Sequence, residues 1–148
     1  KRLTMSKFIL ILLGFLSVIF SSCHATDNID LNSNKTAKIL EEVDLTEKVK
    51  SSQGAEITLL KASSKCRLVY NVYGETGQEE YNFDFKRDKI LQGNYLSYSY
   101  KANKDGVIDL ANLSDKDFIL VKRARASQVK FNELKKFLNK NIIRKNCN

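Results

Sequence analysis

Apolar and polar residues alternate with different periods along this chain, and each period predicts a different element. Phe8 to Phe20 is apolar except for Gly14 and Ser17. As a helix its 13 residues would reach about 20 Å, short of the roughly 30 Å hydrocarbon core of a bilayer. From Lys35 to Val49, the residues Ala37, Ile39, Leu40, Val43 and Val49 follow a loosely helical spacing. Asn34 stands as the N-cap, with Glu41, Glu42, Asp44 and Glu47 on the polar side. This predicts an N-terminal helix that ends at Ser51-Ser52-Gln53-Gly54. The middle of the chain switches to a period of two. Glu56 to Ala62 and Cys66 to Tyr73 are rich in β-branched and aromatic residues, and Gly74-Glu75-Thr76-Gly77 is a short connection suited to a hairpin. In Gln78 to Phe85, Tyr81, Phe83 and Phe85 share one face and Glu80, Asn82 and Asp84 the other. Ile90 to Tyr100 continues the alternation, with Leu96, Tyr98 and Tyr100 opposing Tyr95, Ser97 and Ser99. A turn at Lys104-Asp105-Gly106 precedes a short strand from Val107 to Leu110, and Phe118 to Val121 is the last strand. After Ser127, a further N-cap, Phe131, Leu134, Phe137, Leu138 and Ile142 recur at helical spacing, predicting a C-terminal helix from Gln128 to about Lys140.

The expected fold class is therefore α+β: an antiparallel meander of about five to six strands packed with an N-terminal and a C-terminal helix in two layers. Three segments are expected: a signal segment over 1–25, a polar, flexible tether over 26–34 and one α+β domain over 35–148.

The amino-terminal chemistry refines the picture. Met5, Ser6 and Lys7 lead into the apolar run, which ends in Ser21-Ser22-Cys23-His24-Ala25, the layout of a secretory signal. Ile19-Phe20-Ser21-Ser22-Cys23 resembles the lipobox of bacterial lipoproteins, with Phe20 departing from the usual aliphatic residue. That resemblance implies cleavage before Cys23 and a diacylglycerol on its sulfur. The other processing route cuts after Ala25 and leaves a soluble secreted chain. Cysteine parity favours lipidation. Of three cysteines, Cys23 would carry lipid, and Cys66 and Cys147 would remain as a pair for an oxidising compartment. Their disulfide is expected to contribute about 3 to 4 kcal/mol.

Charge is unevenly distributed. The whole chain has a formal net charge of +8, and Lys122 to Asn148 holds nine basic residues against the single Glu133. Lys130, Lys135, Lys136 and Lys140 lie off the apolar stripe of the predicted helix and form a candidate basic face toward an anionic surface. Nucleic acid is not an expected partner, because export removes it and no recognition motif accompanies the charge.

The one histidine, His24, lies beside the processing site, so the folded part has no imidazole base, triad or imidazole metal ligand. Lys101 to Asp109 resembles part of an EF-hand calcium loop. Lys101, however, stands where the first carboxylate belongs and Asn112 where the bidentate glutamate belongs, so the segment reads as a turn. No catalytic residue, metal or cofactor is expected. Tyrosines suit recognition, and Tyr73, Tyr95, Ser97 and Ser99 are the candidate binding residues. The sequence thus predicts an exported, lipid-anchored, non-catalytic binding or inhibitory protein of the bacterial cell envelope, partnered by another protein or an envelope surface. Two alternatives stand beside it: a small secreted hydrolase using carboxylates such as Glu80 and Asp84 on the sheet face, and a basic protein that contacts the envelope surface.

Overall fold

Six strands follow one another in sequence and in space. They are β1 (Lys38–Asp44), β2 (Gly54–Ala62), β3 (Lys65–Tyr73), β4 (Gly77–Lys86), β5 (Lys89–Tyr100) and β6 (Phe118–Arg125). All neighbours are antiparallel, in the order β1-β2-β3-β4-β5-β6. Two short helices, α1 (Gln128–Lys135) and α2 (Lys140–Asn146), close the chain. The computed structural model describes residues 37–49 and 53–148. The signal segment, Cys23 and the tether lie outside the described residues.

The register turns the sequence alternation into two unlike faces. Ala55, Ile57 and Leu59 of β2 line up with Cys66, Leu68 and Tyr70 of β3 and with Phe83 and Phe85 of β4, all buried. Phe131, Leu134, Leu138, Ile143 and Cys147 join the same cluster, so the helices cover this face. The Phe131 ring sits 5.3 Å from Phe83 and 5.0 Å from Phe85, within the range of favourable tilted aromatic pairs. Phe83 lies opposite Gly93. A Cβ on Gly93 would come within 3.1 Å of the Phe83 ring, so the missing side chain is what admits the aromatic core.

The predicted N-terminal helix is not formed: Lys38–Asp44 is a strand, followed by a single 3-10 turn at Thr46–Lys48. A register shift between Ile39 and Glu41 explains the misleading pattern. The bulge resets the alternation, so Leu40, Val43 and Leu45 all reach the core while Ile39 is exposed, and a strand acquires a spacing close to helical. Pairing with the edge of β2 also satisfies backbone groups that would otherwise lack partners, and this tertiary term overrides local preference.

Val107 to Leu110 is not a strand either. Its expected neighbour, β5, already pairs with β6, and Val107 and Leu110 are exposed in a loop that contains 3-10 turns at Leu110–Asn112 and Asp115–Asp117.

The C-terminal helix is interrupted. Ser127 caps α1 through its hydroxyl, which accepts the Lys130 N–H, but the helix ends at Lys135. Asn139 then caps α2, and its own backbone N–H donates to Glu41 of β1 at 2.9 Å. The break leaves Phe137 41 % exposed, while Phe131, Leu134 and Leu138 are buried. It also turns α2 back toward the sheet, where Cys147 bonds to Cys66 across a sequence separation of 81 with Cα atoms 5.4 Å apart.

Candidate functional site

The face of the sheet away from the helices is built from the complementary set of side chains. On β3 these are Arg67, Val69, Asn71 and Tyr73, facing Asp84, Asn82, Glu80 and Gln78 of β4. Beyond them lie Asn94, Leu96 and Tyr98 of β5, opposite Arg125, Arg123 and Leu120 of β6. No helix among the described residues covers this face.

One end of the face is an ionic cluster. Asp84 is 6 % exposed and accepts from Arg67 Nε at 2.6 Å and from Lys65 Nζ at 2.5 Å. Burial pushes its carboxyl upward, but the adjoining Arg67 and Lys65 outweigh that and hold it below the usual carboxylate range. An acid of this kind stays ionised and has no proton to donate. Glu80, the other carboxylate considered for hydrolysis, accepts instead from the side-chain amide of Asn82. Each of these two carboxylates is thus bonded by neighbours of its own sheet.

The middle of the face is an amide and phenol network. Glu56 accepts from Asn71 Nδ2 at 3.2 Å and from the Tyr73 hydroxyl at 2.6 Å. Burial, then the bond to Glu56, push the Tyr73 phenol well above its ordinary range, so it remains a neutral donor. Asn71 Oδ1 is buried and has no hydrogen-bond partner.

The other end is aromatic. Tyr73, Gln78, Tyr98 and Leu120 form one row across β3 to β6, and Tyr100 opposes Phe118 in the next. The Phe118 ring meets Tyr98 at 6.1 Å and Tyr100 at 5.4 Å, edge-on in both cases. Beside this row, Ile119, Leu120 and Val121 of the edge strand are 51 %, 45 % and 66 % exposed. The pairing shifts between Ser97 and Tyr98, leaving Val121 without an opposite residue. A cleft of about 550 Å³ opens here, lined in part by Tyr73, Gly77, Ser97, Tyr98, Ser99 and Val121. Gly77 is needed at its floor, because a Cβ would overlap the carbonyl oxygen of Tyr98.

The four candidate binding residues thus divide between faces. Tyr73 is on the uncovered face, whereas Tyr95 and Ser97 share the face of Tyr81 and Glu79, with Ser99 two residues further on. The cleft at the β3–β4 turn reunites Tyr73 with Ser97 and Ser99, but not with Tyr95. Tyr95 packs on Tyr81 at 4.8 Å, donates to Glu79 at 3.0 Å and lies beneath Lys122. Sequence reasoning missed Tyr98, Phe118 and Leu120 as members of the surface; the signal was the apolar run Phe118 to Val121, taken only as a strand.

The candidate basic face is also divided. Lys130 lies over the rings of Tyr70 and Tyr81, and Lys135 pairs with Asp88 at 2.6 Å. Lys136 and Lys140 remain exposed and line a separate cleft of about 370 Å³ with Arg144 and the Lys135–Asp88 pair. The calcium-like loop is a turn held by its own side chain, since Asn103 Oδ1 accepts from the backbone of Asp105 and Val107 at 2.9 Å. No cluster of three or more metal-ligating side chains occurs among the described residues.

Comparison with protein-family models, characterised proteins and solved structures finds no match to this chain.

Proposed function

We propose that this chain is an exported, non-catalytic binding or inhibitory protein of the bacterial cell envelope, held to a membrane by lipid on Cys23. It engages another protein through the aromatic end of its uncovered sheet face. The observation that carries this reading is the row Tyr73, Tyr98 and Leu120, with Leu120 and the bulged Val121 exposed on the edge strand beside the cleft at the β3–β4 turn. Large apolar rings with a hydroxyl on a rigid strand give contact area at small entropic cost, and they are enriched where proteins recognise one another.

Two measurements test the two halves of the proposal. Intact mass of the protein recovered from a diderm host should show a chain beginning at Cys23 with added diacylglycerol; a chain beginning at Thr26 without acyl mass overturns the anchor. In envelope extract, the immobilised protein should retain a partner that the Tyr98→Ala, Leu120→Ser double variant loses about 100-fold or more, as expected for anchors of this kind. Equal retention by both forms overturns the assigned surface.

A further inference from the structure

The strand directions collect the basic residues of distant segments at one end of the sheet. β1 begins at that end, where Lys38 pairs with Lys61, and the β4–β5 turn closes there between Lys86 and Lys89. The last residues return to the same place, with Lys61 Nζ donating to the Asn146 carbonyl at 2.5 Å and the Arg87 N–H donating to the Cys147 carbonyl at 2.9 Å. The turn therefore brings Lys86, Arg87 and Lys89 beside α2 and the end of α1, where Lys136, Lys140 and Arg144 line the 370 Å³ cleft with Asp88. Lys86, Lys89, Lys136 and Lys140 are exposed and enter no ion pair among the described residues.

Acids at this end are already engaged: Asp84 by Lys65 and Arg67, Asp88 by Lys135, and Glu41 by the Asn139 N–H. Acids that enter no ion pair among the described residues gather at the opposite end: Asp44 closes β1 and Glu47 follows it, Glu75 lies in the β3–β4 turn, and Asp105, Asp109 and Asp115 lie in the loop between β5 and β6. Arg87 adds a further sign. It and Asp88 occupy the turn with φ of 49° and 65°, a geometry that asparagine and glycine adopt at little cost and arginine does not. A cation is thus carried at a conformationally costly position in a turn of the basic end.

We infer that this basic end rests on anionic lipid headgroups, with the aromatic end of the sheet pointing away from the membrane. The chain enters the fold at Lys38, on the basic end, so a segment anchored upstream delivers that end to the bilayer first. The choice of a membrane over another polyanion rests on the anchor proposed above for Cys23. The topology and the charge segregation do not depend on it. Each cation near an anionic surface is expected to raise partitioning about fivefold, and the effect fades with salt.

The test uses the chain as the host processes it, bound to vesicles of phosphatidylcholine with or without phosphatidylglycerol and footprinted by lysine acetylation. Lys86, Lys89, Lys136 and Lys140 should be protected on phosphatidylglycerol vesicles alone, and high salt should release them, while Lys101 and Lys104 react equally throughout. Two charge reversals, Lys86→Glu with Lys89→Glu and Lys136→Glu with Lys140→Glu, should each weaken association with the anionic vesicles by about tenfold or more. Lys101→Glu with Lys104→Glu should leave it unchanged. Equal protection on both vesicle types, equal loss from the distal reversal, or retention on soluble dextran sulfate without vesicle adsorption would each overturn the inference. The mass of the same preparation reports the anchor separately. If acyl mass is absent the anchor fails, while the footprint on sedimented anionic vesicles still decides the basic end.

Discussion

Asp84 is the residue whose environment departs furthest from its place in the sequence pattern. Alternation assigns it to the wet side of β4, and it is on the uncovered face, yet Arg67 and Lys65 close over it until it is 6 % exposed. Its carboxyl is depressed in the folded state, so the stabilisation is present above the unfolded value of about 3.9 and is lost as pH falls through the lower folded value. Asp84→Asn should cost about 1 to 3 kcal/mol near neutral pH, the worth of hydrogen bonds to a charged group whose partners can still reach water. In urea unfolding, the gap between native and variant should narrow as the pH is lowered below about 4; a gap constant down to about pH 2 would mean the ion pairs do not stabilise the fold. The pairing was not legible from the sequence, because Arg67 and Asp84 meet only through the β3–β4 register. The alternation that puts both on one face was legible, and so was the opposition of Tyr81, Phe83 and Phe85 to Glu80, Asn82 and Asp84.

At the scale of elements, periodicity identified β2 to β6 and the start of α1, and it failed where a break in regularity imitated another period. In β1 a bulge gave a strand a helical spacing. In the C-terminal segment the apolar residues run on through Lys136 to Asn139, but the helix stops because Asn139 is held by Glu41 and recaps the chain. Asn139 is a local N-cap signal at that break, but Glu41, which holds its backbone N–H, is a distant partner. The break makes a prediction that a continuous helix would not. Leu134→Ala and Leu138→Ala should each cost about 2 to 5 kcal/mol, whereas Phe137→Ala should cost about 1 kcal/mol or less, because Phe137 is largely in water with Lys48 over its ring. Thermal or urea unfolding of the three variants separates the cases. A Phe137→Ala cost equal to that of Leu134→Ala would restore the single helix.

At the scale of the whole molecule, the disulfide joins β3 to the end of the chain and fixes the basic end. Replacing Cys66 and Cys147 by alanine should remove about 4.5 kcal/mol, the loop-closure contribution for this separation, and should raise amide exchange in α2 more than in β3 or β4. Uniform exchange across the fold would show instead that α2 is held by packing of Leu138 and Ile143 alone. Much of this molecule is determined by its sequence without reference to the fold. Two-residue alternation sets which side chains of each strand share a face, and turn residues make the strands antiparallel neighbours. These are local or compositional properties, carried by the order of residues along one segment. What the tertiary structure decided depends on residues far apart in the chain. It made Lys38–Asp44 a strand because β2 offered an edge, and it separated Tyr73 from Tyr95 because their strands meet in a particular register. It also gathered Lys86 to Lys89 with Lys136, Lys140 and Arg144 because the polarity of six strands and one disulfide brings those segments to the same end. Position along a strand fixes a side chain's face, and only the pairing of strands fixes its neighbours.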